Sequence, residues 1–221
     1  MLRRSLSTLS FVFAAVAPLT AQGGMKHDMD VKVAGGPLPA GWMGRTDNPK
    51  SKIDDAKFVA MGKGYHVTSG PAAIYWNDKS TVSGPFSASV TIRQTKNPDH
   101  PEAYGIFFQG KNLADSSQTY MYFLVRAGGQ VLVNHRAGKE VHKIMGWTDN
   151  AAVKKADATG SATNTLTVDA TKRDSVHLLV NGVQVASLPA SQVGNTDGYV
   201  GVRVNHNLDV HISDFVVTPK K

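Results

Sequence analysis

The chain has 221 residues, no cysteine and a formal net charge of +7. The absence of cysteine excludes disulfide bonds, thiolate nucleophiles and thiolate metal ligands. Lysine and arginine are scattered along the sequence and form no sustained basic run. Because nucleic-acid binding requires a concentrated basic surface, we expect no nucleic-acid partner.

The N-terminal part of the sequence has the pattern of an export signal. Arg3 and Arg4 give a positive start, residues 9–19 are mostly apolar, and the small residue Ala21 offers a cleavage point. We predict a signal peptide over residues 1–21 and a periplasmic or secreted mature protein. No later apolar run reaches the roughly 18 residues that a membrane-spanning helix needs, so no membrane span is expected after cleavage.

Residues 22–41 are rich in Gly, Pro and Met and show no hydrophobic period, which predicts a flexible or loosely docked N-terminal linker. A single domain is then expected over residues 42–219. Short alternating or apolar runs, separated by turn-forming groups, follow one another through this domain. The predicted strands cover residues 57–61, 65–68, 72–76, 86–94, 103–109, 119–126, 130–135, 141–147, 165–170, 175–180 and 183–188, with a last pair within residues 197–217.

Two local signals in this domain are specific. The Asn181-Gly182 pair lies between two apolar alternating runs and predicts a β-hairpin. Residues 150–156 are the one segment that favours a helix, with Asp149 or Asn150 as its N-terminal cap. About a dozen short strands with little helical period predict an all-β protein, an antiparallel jelly-roll β-sandwich.

Residues 197–217 show the strand alternation most clearly. In the first strand of this stretch the valines point to one face, whereas Arg203 and Asn205 point to the other. After a polar corner at residues 205–207 the alternation resumes, and it places His211 on the polar side. A polar face of this kind is either an ordinary solvated surface or a binding surface.

Several segments together resemble a known family. They include HPEAYGIFFQG at 100–110, TYMYFLVRAGGQVLVNHRAG at 119–138, LLVNGVQV at 178–185 and DGYVGVRVNHNLDVHISDF at 197–215. Over about residues 58–217 the chain is similar to the exported domains grouped with 3-keto-disaccharide hydrolases. The resemblance implies a concanavalin A-like, laminin G-like jelly roll and a sugar or oxidised glycoside as ligand or substrate. The shared pattern consists of strands, glycines and aromatic residues, so it indicates the fold more strongly than an activity.

Two residues are candidates for catalysis. Glycoside cleavage usually needs two carboxylates beside the bond, and the chain has only two glutamates, Glu102 and Glu140. Glu102, at the entry to an apolar strand, is the candidate general base or hydroxyl acceptor, and a solvated charge at the strand edge is the alternative. His135 is the second candidate, because a neutral imidazole can accept a proton near pH 7. A structural role for this histidine stays open.

The candidate binding residues are aromatic, cationic or polar side chains. Aromatic rings stack on the apolar faces of sugars, and guanidinium groups donate paired hydrogen bonds to hydroxyl or carboxylate oxygens. Ordinary cross-strand pairing explains the tyrosines equally well. The predicted substrate-binding residues are Tyr104, Tyr122, Arg126, Trp147, Arg203, Asn205 and His211.

We expect no cofactor and no metal. The histidines lack an H-E-x-x-H spacing, and no phosphate-binding, dinucleotide-binding or G-x-S-x-G motif occurs. Residues 112–118 hold enough oxygen donors for a Ca²⁺ loop, although an ordinary polar turn is the simpler explanation.

Three functions are consistent with the sequence. The first is recognition of a carbohydrate or glycoside, the second is hydrolysis or elimination on a 3-keto glycoside, and the third is an envelope domain that binds other proteins. A closed pocket with acid, histidine and arginine would favour the enzyme, and a shallow aromatic platform would favour binding. A flat apolar patch would favour a protein partner. Arg203 and Asn205 are expected to take part only if they lie beside Tyr122 and Arg126 on one sheet.

Overall fold

The structure is a computed structural model that describes residues 29–220. The predicted signal peptide, residues 1–21, and the first part of the predicted linker lie outside the described residues. Between residues 29 and 220, no helix is long and apolar enough to cross a membrane.

Fourteen strands make up most of the described chain. They are β1 Trp42–Thr46, β2 Ala56–Met61, β3 Gly64–Ser69, β4 Ala73–Val82, β5 Phe86–Gln94, β6 Ala103–Lys111, β7 Thr119–Arg126, β8 Gln130–Ala137, β9 Glu140–Asp149, β10 Ala162–Ala170, β11 Ser175–Val180, β12 Val183–Pro189, β13 Gly198–Val204 and β14 Asp209–Pro219. A 3₁₀ turn at Ile53–Asp55 and the short helix α1 at Ala190–Val193 complete the elements. The predicted all-β class is confirmed, and β1 is the one strand that the sequence did not indicate.

The strands form two antiparallel sheets of seven strands each. Sheet A has the order β1-β4-β13-β6-β7-β8-β9, and sheet B has the order β12-β11-β10-β5-β14-β3-β2. The predicted antiparallel jelly-roll sandwich is therefore confirmed. The last two strands belong to different sheets, because β13 pairs with β4 and β6 whereas β14 pairs with β3 and β5.

The main hydrophobic core lies between the two sheets. Alternation sends every second side chain of each strand into this space. Sheet A contributes residues such as Ile106 and Phe123, and sheet B contributes residues such as Ile92 and Leu166, all of them fully buried. The chain has no disulfide, so the sandwich depends on this packing and on the strand pairing.

The predicted hairpin at Asn181 and Gly182 is confirmed. Strands β11 and β12 pair with Val180 opposite Val183. Asn181 and Gly182 have φ angles of 51° and 81°. Both central residues of a tight type I′ turn need a positive φ, which Asn and Gly adopt most easily.

The predicted helix over residues 150–156 is wrong, because this segment is a loop between β9 and β10. Asn181 Nδ2 donates to the carbonyl of Ala152 at 2.7 Å, and the N–H of Lys154 donates to Asn164 Oδ1 at 2.8 Å. Side chains from sheet B thus satisfy the backbone groups that a helix would pair internally.

Residues 29–41 contain no helix or strand and are hydrogen-bonded to the sandwich. The N–H of Val31 donates to Asn207 Oδ1 at 2.8 Å. The N–H of Gly35 donates to the carbonyl of Asp54 at 3.1 Å. This segment therefore runs along one end of the sandwich, beside the corner that joins β13 to β14.

Candidate functional site

The polar side of β13 is part of the outer face of sheet A. Arg203 pairs with Gly105 of β6, and Gly105 pairs with Leu124 of β7. Phe107 and Tyr122 form the next row of the same face. Residues that are in register on neighbouring strands share a face, so Arg203 and Tyr122 lie on one surface. A binding site that includes both residues requires this arrangement.

A second hydrophobic cluster covers this outer face. An outer sheet face is usually solvated, so a buried layer with four large aromatic residues is unusual there. The β6–β7 loop, residues 112–118, folds over part of the layer and places Leu113 inside it. The buried members are Ile74, Trp76, Ala103, Phe107, Leu113, Tyr120, Tyr122, Leu124 and Leu132.

Arg203 lies within this layer and is only 6% exposed. Its Nη1 donates to Asp47 Oδ1 at 2.8 Å and to the Tyr120 hydroxyl at 3.1 Å, and its Nη2 donates to Asp47 Oδ2 at 2.5 Å. The guanidinium carbon lies 4.9 Å from the centre of the Tyr122 ring. A buried arginine that is paired twice with one carboxylate and stacked on a ring is held in a single orientation.

Asp47, which directly follows β1, connects two arginines. Arg136 Nη1 lies 3.3 Å from Asp47 Oδ2, the oxygen that also accepts from Arg203 Nη2. Burial alone would raise the pKa of Asp47, but Arg203, Arg136 and Arg45 together lower the pKa below its ordinary value of 3.8. Asp47 is therefore a carboxylate near neutral pH and keeps Arg203 in place.

The same face is more open on strands β7 to β9. The guanidinium carbon of Arg126 lies 4.5 Å from the ring centre of Trp147, and Arg126 Nε donates to Gln130 Oε1. Trp147 is 39% exposed. Asn134 Nδ2 donates to the Tyr122 hydroxyl at 3.0 Å and connects this open part with the buried layer. An exposed indole beside guanidinium and amide groups can stack on a ring and form hydrogen bonds with hydroxyl groups.

Unpaired polar atoms surround this surface. Seven buried side-chain atoms in the described chain have no hydrogen-bond partner, and four of them are Arg45 Nε, Asn134 Oδ1, Arg203 Nε and Asn205 Oδ1. A buried donor or acceptor without a partner costs about 1–3 kcal/mol. Each of these atoms needs an ordered water molecule or another bound group to complete its hydrogen bonding.

Tyr104, a predicted binding residue, does not lie on this surface. Its side chain is fully buried in the core between the sheets. Its hydroxyl accepts a hydrogen bond from Asn164 Nδ2 at 3.2 Å. The prediction that Tyr104 binds a ligand on this surface is therefore wrong, because Ala103 and Gly105 take the outer face of β6 and Tyr104 points inward.

His211 lies on the other sheet. It is opposite His66 on sheet B, with 6.4 Å between the ring centres. His66 Nε2 lies 3.2 Å from Asp209 Oδ1. The connection at residues 205–208 carries the chain from sheet A to sheet B, so the prediction that His211 joins Arg203 in one site is wrong.

The structure does not bring Glu102 and His135 together. Ala103, the neighbour of Glu102, pairs with Arg126 of β7, whereas His135 pairs with Met121 at the other end of the same strand. At about 3.4 Å per residue, these positions are about 17 Å apart along β7. The two residues therefore cannot act on one bond as an acid–base pair.

Glu102 has a different histidine partner. Glu102 Oε1 lies 2.7 Å from His206 Nε2, and Asp30 Oδ1 lies 3.2 Å from His206 Nδ1. His206 and Asp30 line a cavity of about 490 Å³ that also includes Asp47. Sequence reasoning missed Asp30 and Asp47, since a single aspartate in an irregular segment carries no signal of its distant partners.

His135 lies near the edge of sheet A, on the side opposite to Tyr122. Its Nε2 is 2.9 Å from Thr119 Oγ1, and its ring stacks on His142 with 5.8 Å between the centres. Burial and the adjacent His142 lower the pKa of His135 below 6.5. His135 is therefore mainly neutral at pH 7 and belongs to a separate histidine pair.

The loop at residues 112–118 uses its aspartate locally. Asp115 Oδ1 accepts hydrogen bonds from the Ser117 hydroxyl at 2.6 Å and the Ser117 N–H at 2.7 Å. These bonds lower the pKa of Asp115. In the part of the chain that the structure describes, no group of three or more His, Cys, Asp or Glu residues could hold a metal ion.

No protein-family model matches the chain, and no curated protein matches it. Solved structures do. The carbohydrate-binding module CBM66 from Bacillus subtilis aligns with a TM-score of 0.57 and 14% identity over 82% of this chain and 99% of that chain. A protein of unknown function with a galectin-like fold from Bacillus subtilis has a TM-score of 0.55 and 13% identity, covering 80% of this chain and 88% of that chain.

A third similar structure is an enzyme. The β-glucanase from Bacillus licheniformis has a TM-score of 0.55 and 11% identity, covering 88% of this chain and 99% of that chain. At these identities the similarity shows the fold alone. The chain has the antiparallel jelly-roll sandwich fold that these three structures share.

Proposed function

We propose that this protein is an exported carbohydrate-recognising domain that binds its ligand on the outer face of sheet A, over strands β7, β8 and β9. The observation that carries the proposal is the exposed Trp147 ring beside the Arg126 guanidinium, on the same face as the stacked pair Arg203 and Tyr122. Ring-stacking surfaces next to hydrogen-bond donors suit a sugar, which has apolar ring faces and a polar rim.

The residues of this surface divide into two roles. Trp147 supplies the stacking platform, and Arg126, Gln130 and Asn134 supply hydrogen bonds, since they are partly exposed. Arg203 is a positioning residue, because it is buried and contacts the ring that Asn134 binds.

The fold supports the same proposal. One of the similar structures is named a carbohydrate-binding module, and another is named galectin-like. The jelly roll also occurs in a named β-glucanase, so the fold alone does not separate binding from catalysis. The site does favour binding, because Glu102 and His135 are at opposite ends of β7.

A glycan screen tests this function. The purified residues 22–221 are applied to immobilised oligosaccharides as wild type, Trp147→Ala and Val183→Ala. Val183 is a matched control because it is an exposed apolar residue on an edge strand of the other sheet. We expect the wild type to bind at least one glycan. Trp147→Ala should lower the affinity for that glycan at least tenfold, whereas Val183→Ala should leave the affinity unchanged. No glycan binding, or an equal loss in both variants, would contradict the proposal.

A second candidate function is a hydrolase or lyase step on a 3-keto glycoside, the activity class implied by the family resemblance. The specific observation in its favour is the 2.7 Å contact between Glu102 and His206 next to a cavity. Such a carboxylate–imidazole pair can transfer a proton beside a carbonyl group. Incubation with a 3-keto disaccharide tests it: turnover that Glu102→Gln abolishes supports the enzyme, and no turnover by the wild type rejects it.

A further inference from the structure

A separate cavity of about 410 Å³ opens between the two sheets, where β1 and β4 approach β3 and β14. Ligand pockets usually measure about 300–1,000 Å³. Three aromatic side chains, Trp42, Tyr65 and Phe215, line it, whereas four further cavities in the described chain have no Trp, Tyr or Phe in their walls. The cavity shares no residue with the surface around Trp147.

The three rings form a packed wall. The ring centre of Trp42 lies 5.0 Å from that of Tyr65 and 5.7 Å from that of Phe215. Phe58, fully buried, contacts both Trp42 and Tyr65 with ring centres 5.1 and 5.2 Å away. Because Phe58 supports the wall from the core side, these rings are positioned before any ligand arrives.

A β-bulge in β14 places Phe215 in this wall. The register of β14 against β5 shifts between Ser213 and Val216, and Asp214 has a φ angle of 49°. In uninterrupted alternation from the buried Ile212, Phe215 would point to the outer face of sheet B. Bulges often redirect a side chain beside a binding site, and here the bulge turns an aromatic ring toward the cavity.

The polar side of the cavity is positively charged. Lys63 and Lys79 line it together with one carboxylate, Asp214. Two ammonium groups beside aromatic rings suit a ring-shaped ligand that carries a negative charge.

We propose that this cavity is a second binding site, and that its ligand is an acidic pyranose, a sugar ring with a carboxylate. The aromatic wall contacts the apolar ring face, and Lys63 and Lys79 bind the carboxylate. Neutral sugars lack the group that the lysines recognise, so they bind more weakly. This site is independent of the proposed binding of carbohydrate at Trp147.

The test measures binding of D-glucuronate to residues 22–221 by calorimetry, with D-glucose and benzoate as comparison probes. The variant Lys63→Gln/Lys79→Gln removes both cations of the cavity. Lys172→Gln/Arg173→Gln is the matched control, because it removes the same charge from a different cavity. Phe215→Leu shortens the aromatic wall, and its thermal midpoint checks that the variant stays folded.

We expect glucuronate to bind at least tenfold more tightly than glucose or benzoate. Affinity should fall at least tenfold in the Lys63/Lys79 variant, fall in Phe215→Leu, and stay within twofold in the Lys172/Arg173 control. Trp147→Ala should leave glucuronate affinity unchanged, which separates this site from the one on sheet A. Absence of glucuronate binding, equal losses in both double variants, or benzoate binding as tight as glucuronate binding would overturn the proposal.

Discussion

Replacing Asp47 with asparagine removes the charge that pairs with Arg203 and keeps the size of the side chain. Arg203 is 6% exposed, so the variant leaves a cation inside the aromatic layer without its counter-charge. Loss of one partner of a buried ion pair costs about 3–5 kcal/mol. Because the Asp47 side chain is 26% exposed and asparagine can still accept a hydrogen bond, we expect the lower end, about 3 kcal/mol.

Urea unfolding at pH 7, followed by tryptophan fluorescence, measures this loss. With a denaturant slope of about 1–3 kcal/mol per molar urea, the midpoint should fall by about 1–3 M. Asp78→Asn is the control, because Asp78 is an exposed aspartate on β4. A difference of less than about 0.5 kcal/mol between the two variants, the usual range for surface substitutions, would refute the role of Asp47.

The lowered pKa of Asp47 also predicts how the stability difference between wild type and Asp47→Asn changes with pH. The folded protein holds the pKa of Asp47 below 3.8, so the carboxylate stabilises the fold fully above that value. This contribution is lost as the pH falls through the lowered folded pKa. The difference in unfolding free energy between wild type and Asp47→Asn should therefore be constant near neutral pH and shrink in acid below 3.8. A difference that grows in acid would contradict this sign.

Three further predictions concern single residues of the two sheets. Gly201→Ala would place a Cβ 2.3 Å from a carbonyl oxygen of β4 and 2.5 Å from an aromatic ring of β6. The variant should therefore lose at least about 1–3 kcal/mol of unfolding free energy in a thermal unfolding assay. Gly128→Ala is the control and should have little effect, because its Cβ would have nothing within 4 Å. Asn164→Ala removes four hydrogen bonds in the core and should cost about 3 kcal/mol by urea unfolding, and a loss below about 1 kcal/mol would contradict its role. His142→Gln should raise the pKa of His135 toward 6.5 in an NMR titration, because burial alone remains to lower it, and an unchanged value would show that His142 has no effect.

The strands and their faces were predictable because both follow from local alternation. The valines of β13 point into the core and Arg203 points outward, as the period of two requires. The hairpin at Asn181 and Gly182 was equally local, since two adjacent residues define the turn. Sequence could thus place Tyr122, Arg126 and Arg203 on faces opposite to the core before their sheet was known.

Long-range contacts were not predictable from one sequence. Asp47 precedes Arg203 by 156 positions, and no local pattern connects them. The loop at residues 150–156 has helix-compatible composition, but Asn164 and Asn181 of sheet B bind its backbone instead. Tertiary partners outweigh a weak helical preference of this kind.

The assignment of His211 failed for a topological reason. Alternation gave its correct polar side, but it could not show that the chain changes sheets at residues 205–208. Tyr104 failed at a smaller scale, because the phase of a nearly continuous apolar strand is ambiguous when both faces are buried, as in β6.

A nitrogen-15 NMR titration with the best glycan from the screen tests the central claim most directly. The indole N–H of Trp147 and the Nε–H of Arg126 should shift with one saturable binding curve, and the amides of the outer face of sheet B around His211 should not shift. Saturable shifts confined to sheet B, or no shift at Trp147 under conditions where the glycan binds, would contradict a carbohydrate site on sheet A.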